Sequence, residues 1–332
     1  MKSVSVKRRF WKKLALPAAA CASALAMAAP ALPQGQNQQG LGQAPTIKAE
    51  VNLVNLFATV RDKNKRVITD LKQDDFKIFE DGHEEKISFF SKEMTMPITM
   101  GLLLDTSGSE QNMLGAIQGA GSRFLRRVLR KGDEAMIMSF DSDVDLLSDF
   151  TDDRGILDRA INKARINIPG GGTIAGNPGP IGSGNITGTA LYDAVYLACG
   201  EKLNGEAGRK AIVIVTDAQD EGSKVRLEEA IEAAQRTDTV IHILLVADPR
   251  FGGNGGVARK MTDETGGRVI YVNSEKKLEE AFDQISEELR SQYTLGYYPT
   301  NKARDGKFRK IRLDVDKDLK ALTRRGYYAP RG

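Results

Sequence analysis

The stretch "ITMGLLLDTSGSEQNML", Ile98 to Leu114, decides how the chain is read. An apolar run ends in one acid, Asp105, and hydroxyls follow at every second position, Ser107 and Ser109, before a helical pattern begins around Gln111 and runs to Leu129. A run this continuously apolar suits a strand covered on both faces, as in the middle of a parallel sheet. Two more such runs occur, "AIVIV" leading to the acid of "VTD" at Asp217, and "VIHILLV" from Val240. Between and after them the pattern predicts a strand in "EAMIMSFDS", helices near 154–164 and 190–203, a helix at 224–236, a helix near 255–265, a strand in "RVIYV" and a long helix at 275–290. Strands alternating with helices predict an α/β fold with a doubly wound, mainly parallel, Rossmann-like sheet over residues 97–290.

In an open sheet of this kind, ligands sit beyond the carboxyl ends of the strands. Asp105 and Asp217 each end a strand and so share one edge, Ser107 and Ser109 lie in the loop after Asp105, and Thr189 opens a helix after the Gly-rich "IPGGGTIAGNPGPIGSGNITG". Taken singly, an Asp, Ser or Thr at a strand-to-helix junction reads as an N-cap. Taken together, five oxygen donors in this order read as a cation site. Carboxylates and hydroxyls without His or Cys suit a hard ion, Mg²⁺ ahead of Mn²⁺ or Ca²⁺.

"DTSGS" at 105–109, a Thr before "ALYDA" at Thr189, and the Asp of "VTD" at Asp217 resemble the metal-ion-dependent adhesion site of von Willebrand factor type A (vWA) domains. The flanks "DLKQDDFKIFEDG" and "YTLGYYPT…GKFRKIRLDV…RRGYY" resemble those of an acidobacterial-type group of secreted vWA-related proteins. The resemblance implies that Ser107, Ser109 and Thr189 hold the metal by hydroxyls and that Asp105 and Asp217 hold it directly or through water. A partner's carboxylate would then fill the open position. Two departures stand out. Ala218 follows Asp217 where the pattern usually has Gly, and the long Gly-rich loop offers Thr173 and Thr187 as alternatives to Thr189.

Other acids read more plainly. Asp141, Asp143 and Asp145 lack the Gly and closing Glu of a calcium loop and read as an exposed edge strand. Asp220 and Glu221 read as a solvated loop. The tyrosines of "GYYP" and "RRGYYAP" read as β-core packing ahead of a partner surface.

The N-terminus has a basic start, "MKSVSVKRRFWKK", an apolar "LALPAAACASALAMAA" and small-x-small sites at residues 26–31. This reads as a secretory signal peptide over 1–31, cleaved near residues 28–31, which places the protein in the periplasm or outside the cell. Lipidation at Cys21 fits poorly, and no membrane span is expected after cleavage. Lys and Arg total 48 against 44 Asp and Glu, but six of the cations fall before residue 14, so 42 basic face 44 acidic residues in the mature chain. The basic excess belongs to the leader and implies no nucleic-acid partner. Cys199 would be the one remaining cysteine, and His83 and His242 are too far apart to build a zinc site with it.

Residues 32–45 are rich in Pro, Gly and Gln and read as a flexible linker. Residues 46–96 and 291–332 have β rhythm, and we expect them to pair as two halves of one small β-sandwich-like domain into which the α/β domain is inserted. The function expected is a secreted or envelope-associated binding module, not an enzyme, in which the cation bridges to a carboxylate of an unidentified protein or acidic extracellular ligand. The alternatives are a Mg-dependent hydrolase and a structural or assembly factor in the envelope. The hydrolase lacks a phosphate loop of the G-x-x-x-x-G-K-[ST] type and a G-x-S-x-G elbow.

Overall fold

The computed structural model describes residues 53–92, 96–166, 188–246 and 252–332. The expected leader and linker, and Thr173 and Thr187, lie outside the described residues. The chain enters through four strands, β1 (Val54–Asp62), β2 (Lys77–Glu80), β3 (His83–Glu85) and β4 (Ile87–Ser91). The central part then runs β5 (Ile98–Asp105), α1 (Leu114–Val128), β6 (Glu134–Phe140), β7 (Val144–Thr151), α2 (Arg154–Ile161), α3 (Leu191–Leu197), β8 (Arg209–Thr216), α4 (Leu227–Arg236), β9 (Thr239–Val246), α5 (Gly255–Thr265), β10 (Val269–Val272) and α6 (Glu275–Arg290). It leaves through β11 (Tyr293–Tyr297), β12 (Phe308–Asp314), β13 (Leu319–Leu322) and β14 (Gly326–Tyr328).

The central sheet has the order β10-β9-β8-β5-β6-β7, parallel throughout except for the antiparallel edge strand β7. Successive residues of its inner strands point to opposite faces, and both faces are covered. Met100, Leu102 and Leu104 pack with α1, α2 and α6, while Leu103 packs with α3, α4 and α5. This double cover is why β5, β8 and β9 read as unbroken apolar runs. On one side Phe124 of α1 meets Phe282 of α6 with ring centroids 4.9 Å apart. Cys199 lies buried on the other side, where burial pushes its thiol up to about 12 and leaves it an inert apolar filler. The turn from α5 to β10 depends on glycine. Gly266 has φ +88°, and a Cβ on Gly267 would fall 1.9 Å from the carbonyl oxygen of Ile241.

The two ends of the chain form two further sheets, β13-β1-β11-β4, in which N-terminal and C-terminal strands alternate, and β14-β12-β2-β3, in which they meet at β12 and β2. β1 pairs antiparallel with β11 and β13, and β12 with β2. Both sheets contribute to one core, in which Leu56, Phe76, Ile78, Tyr293 and Ile311 pack together. Glu80 is buried there, and its Oε2 accepts hydrogen bonds from the hydroxyls of Tyr297 at 2.7 Å and Tyr327 at 3.0 Å. The first tyrosine of each "YY" pair thus serves the core, whereas Tyr298 is half exposed.

β1 is tied to the central unit by charge. Glu288, at the end of α6, is fully buried and binds the guanidinium groups of Arg61 on β1 and Arg268 ahead of β10. Gln284 Oε1 takes a further hydrogen bond from Arg268 Nη2 at 2.8 Å. His242 of β9 lies buried close to both arginines, with neither ring nitrogen hydrogen-bonded among the described residues. Burial first, and then the charges of Arg268 and Arg61, hold its pKa down at about 3. The folded state therefore binds fewer protons than the unfolded chain below the ordinary histidine value of about 6.5. Stability is complete above that value and falls as the pH drops towards 3. Between about pH 7 and about pH 4.5 this histidine should remove about 3 kcal/mol, and His242→Leu should lose less over that range than the wild type. Urea unfolding at the two pH values checks this, and parallel losses in the two proteins would contradict it.

Candidate metal centre

β5 carries Asp105 to the carboxyl edge of the sheet, where it has no exposed surface. The backbone N–H of Ser107 donates to its Oδ1 at 2.9 Å, and the hydroxyl of Thr216, the last residue of β8, donates to its Oδ2 at 2.6 Å. The loop after β5 is pinned sideways as well. The N–H of Thr106 donates to the Phe140 carbonyl at 2.8 Å, and its hydroxyl lies 3.3 Å from Asp141 Oδ2.

Ser107 leads into a short 3₁₀ turn, Gly108–Glu110, but its hydroxyl makes no capping hydrogen bond. Met113 stands at the N-cap of α1, also without a side-chain cap. The helix expected from about Gln111 begins three residues later, at Leu114. The hydroxyls of Ser107 and Ser109 instead lie 3.0 Å from each other, beside Asp105. Both are half-buried.

Asp217 follows β8 and is 4 % exposed. Its Oδ1 accepts from the N–H of Gln219 at 3.0 Å. Ala218 takes a left-handed φ of 59° and donates its N–H to Thr216 Oγ1 at 2.9 Å. The conformation that glycine would adopt freely is thus present with alanine in place, held by that bond and by complete burial of the side chain.

Thr189 is buried just ahead of α3, whose N-cap residue, Ala190, has no side-chain cap. Its carbonyl accepts from the N–H groups of Glu221 at 3.1 Å and Gly222 at 3.3 Å, and the next N–H, of Ala190, donates to the Asp141 carbonyl at 2.6 Å. Backbone contacts thus join it to the loops after β6 and β8, and the structure records no direct hydrogen bond from its hydroxyl to Asp105 or Asp217 among the described residues.

Two acids have roles other than those expected. Asp141 is half-buried in a turn that clamps Thr106 and Ala190, and the edge strand starts only at Val144, where Asp145 is exposed. Asp220 accepts from the N–H of Tyr192 at 3.0 Å and from Ser223 Oγ at 2.5 Å, so it fastens the start of α3 to the loop after β8.

One acid was missed by sequence reasoning. Glu110, 1 % exposed, brings its carboxylate to the same place, and single oxygens of Asp105, Glu110 and Asp217 lie within 4.8 Å of one another. The available signal was its position immediately after Ser109. Burial pushes the Asp105 carboxyl up to about 6, against the hydrogen bonds from Ser107 and Thr216, and the Asp217 charge adds to the rise. Crowded, buried carboxylates flanked by paired hydroxyls fit a hard divalent cation, whose charge would offset both desolvation and mutual repulsion.

Residues 100–219 match the family model of the von Willebrand factor type A domain, a span that includes all five residues named from the sequence together with Glu110. The central unit has the vWA fold. Similar solved structures include BatB from Bacteroides thetaiotaomicron, at 18% identity over 58% of this chain and 100% of that one, with a TM-score of 0.44. Another is a von Willebrand factor type A protein from Catenulispora acidiphila, at 10% identity over 85% of this chain and 75% of that one, TM-score 0.49. A third is proximal thread matrix protein 1 of the mussel byssus with a zinc-occupied MIDAS motif, at 16% identity over 64% of this chain and 50% of that one, TM-score 0.49. No curated protein matches the sequence.

Proposed function

We propose that the protein is a metal-dependent interaction module whose vWA domain binds a divalent cation, Mg²⁺ first, through Asp105, Ser107, Ser109, Thr189 and Asp217. The observation that carries the reading is the pair of hydroxyls on Ser107 and Ser109, 3.0 Å apart, capping no helix and set against the buried carboxylate of Asp105. When bound, the cation would supply a Lewis-acidic position open to one outside oxygen donor, for which a partner's carboxylate is the natural choice. The protein's part is to hold the donors in place. Thr216 and the Ser107 N–H fix the Asp105 carboxylate, Gln219 fixes Asp217, and Asp220 and Asp141 hold the start of α3 so that Thr189 stays at the edge of the site. In this reading the outer β strands form one domain around residues 97–290, which carry the site, the basic apolar leader directs the chain to the periplasm or beyond, and the protein is not an enzyme.

Immobilised polyglutamate is a suitable probe. Binding in Mg²⁺ that disappears in a chelator and in Ser107→Ala supports the bridging function. Binding that persists in both contradicts it.

A further inference from the structure

The five donors read from the sequence leave Glu110 out, yet its carboxylate stands within 4.8 Å of both metal-site aspartates. The backbone fixes it there. The N–H of Glu110 donates to the Ser107 carbonyl at 3.1 Å, and the Glu110 carbonyl accepts from the N–H of Met113 at 2.9 Å, so the residue is held in the same turn that aligns Ser107 and Ser109. With 1 % of its surface exposed, it reaches the site from inside the protein, whereas an outside ligand must come from solvent.

We infer that Glu110 is a third carboxylate of the cation site, which holds the ion from within and sets what the open position accepts. This rests on the cation-site reading above. Two carboxylates and a divalent ion make a neutral centre that draws a further carboxylate, while three make a centre of net negative charge that binds the ion more tightly and a carboxylate ligand more weakly. Glu110 is thus a specificity-determining residue: it tightens the hold on the ion and lowers, without abolishing, the affinity of the open position for the carboxylate proposed above.

The test uses Mn²⁺ as the probe ion on the full chain, with titration calorimetry and water-proton relaxation, comparing wild type with Glu110→Gln, Glu110→Ala and Glu110→Asp. The first two are expected to bind Mn²⁺ at least about tenfold more weakly, and Glu110→Asp, which keeps the charge, to stay closer to wild type. Mn²⁺-loaded Glu110→Ala should relax water protons faster, because a position filled by the carboxylate becomes open to water. Acetate should suppress that enhancement at several-fold lower concentration than in wild type. Thermal unfolding in chelator verifies that the variants fold, and the nearly isosteric Glu110→Gln provides the reading if Glu110→Ala does not. Glu110→Gln and Glu110→Ala that match wild type in affinity, relaxation and acetate response would overturn the inference. If wild type itself binds no Mn²⁺, or Asp105→Ala binds it equally, the cation-site reading fails and the inference falls with it.

Discussion

Glu288→Ala should destabilise the fold by about 3–5 kcal/mol, among the largest effects of any single substitution in the chain. The reason is the environment left behind. Arg61 and Arg268 both bind the Glu288 carboxylate in the interior, and His242 stands close to the pair with no hydrogen-bonded partner of its own among the described residues. Without Glu288 two buried guanidinium charges face each other uncompensated. Arg61 belongs to β1 of the outer sheet, Glu288 to α6 and Arg268 to the approach to β10, so the loss should also loosen the outer strands from the central unit. A triple replacement of Glu288, Arg61 and Arg268 by methionine should recover most of the stability, because no buried charge then lacks a partner. Urea unfolding of the variants measures both effects. A loss below about 1 kcal/mol for Glu288→Ala would show that water reaches the arginines.

Much of this architecture was legible in the sequence, because burial on two faces leaves a plain mark. β5, β8 and β9 could be read from their unbroken apolar runs, and the ends of α5 and α6 agree with the pattern to the residue. Asp105 and Asp217 could be assigned to one sheet edge from strand ends alone, since parallel strands place their carboxyl ends together. What the sequence hid was tertiary. Nothing in "GSEQN" distinguishes a 3₁₀ turn with a buried acid from the first turn of a helix, because Glu and Gln are good helix formers and the burial of Glu110 depends on β8 being next to β5. Asp220 looked solvated for the same reason: the amide it binds, that of Tyr192, is 28 residues away.

Asp105→Ala should abolish the response to divalent cations, with an affinity loss of at least about a hundredfold, and Asp217→Ala should do nearly the same. Asp105 also sets the pH dependence. Its folded pKa of about 6 lies above the ordinary carboxylate value, so without metal the folded state holds the proton longer than the unfolded chain. Ionising it in place costs the metal-free protein stability as the pH rises from about 4 to about 6, by about 3 kcal/mol in all, and cation binding offsets that cost. Since the ion must displace this proton, apparent affinity should fall about tenfold per pH unit below 6 and level off above it. Asp105→Ala in a chelator should for the same reason lack the metal-free wild type's loss of stability between pH 4 and 6.

The most direct measurement is a calorimetric titration of the protein with Mg²⁺ and Mn²⁺ at neutral pH, beside Asp105→Ala. One ion bound per chain by the wild type, with binding absent in the variant and a raised melting temperature in the wild type alone, is the expected result. Equal binding by both proteins, or none by the wild type with Mg²⁺, Mn²⁺ or Ca²⁺ even when acetate is added to close the site, would contradict a cation centre at Asp105.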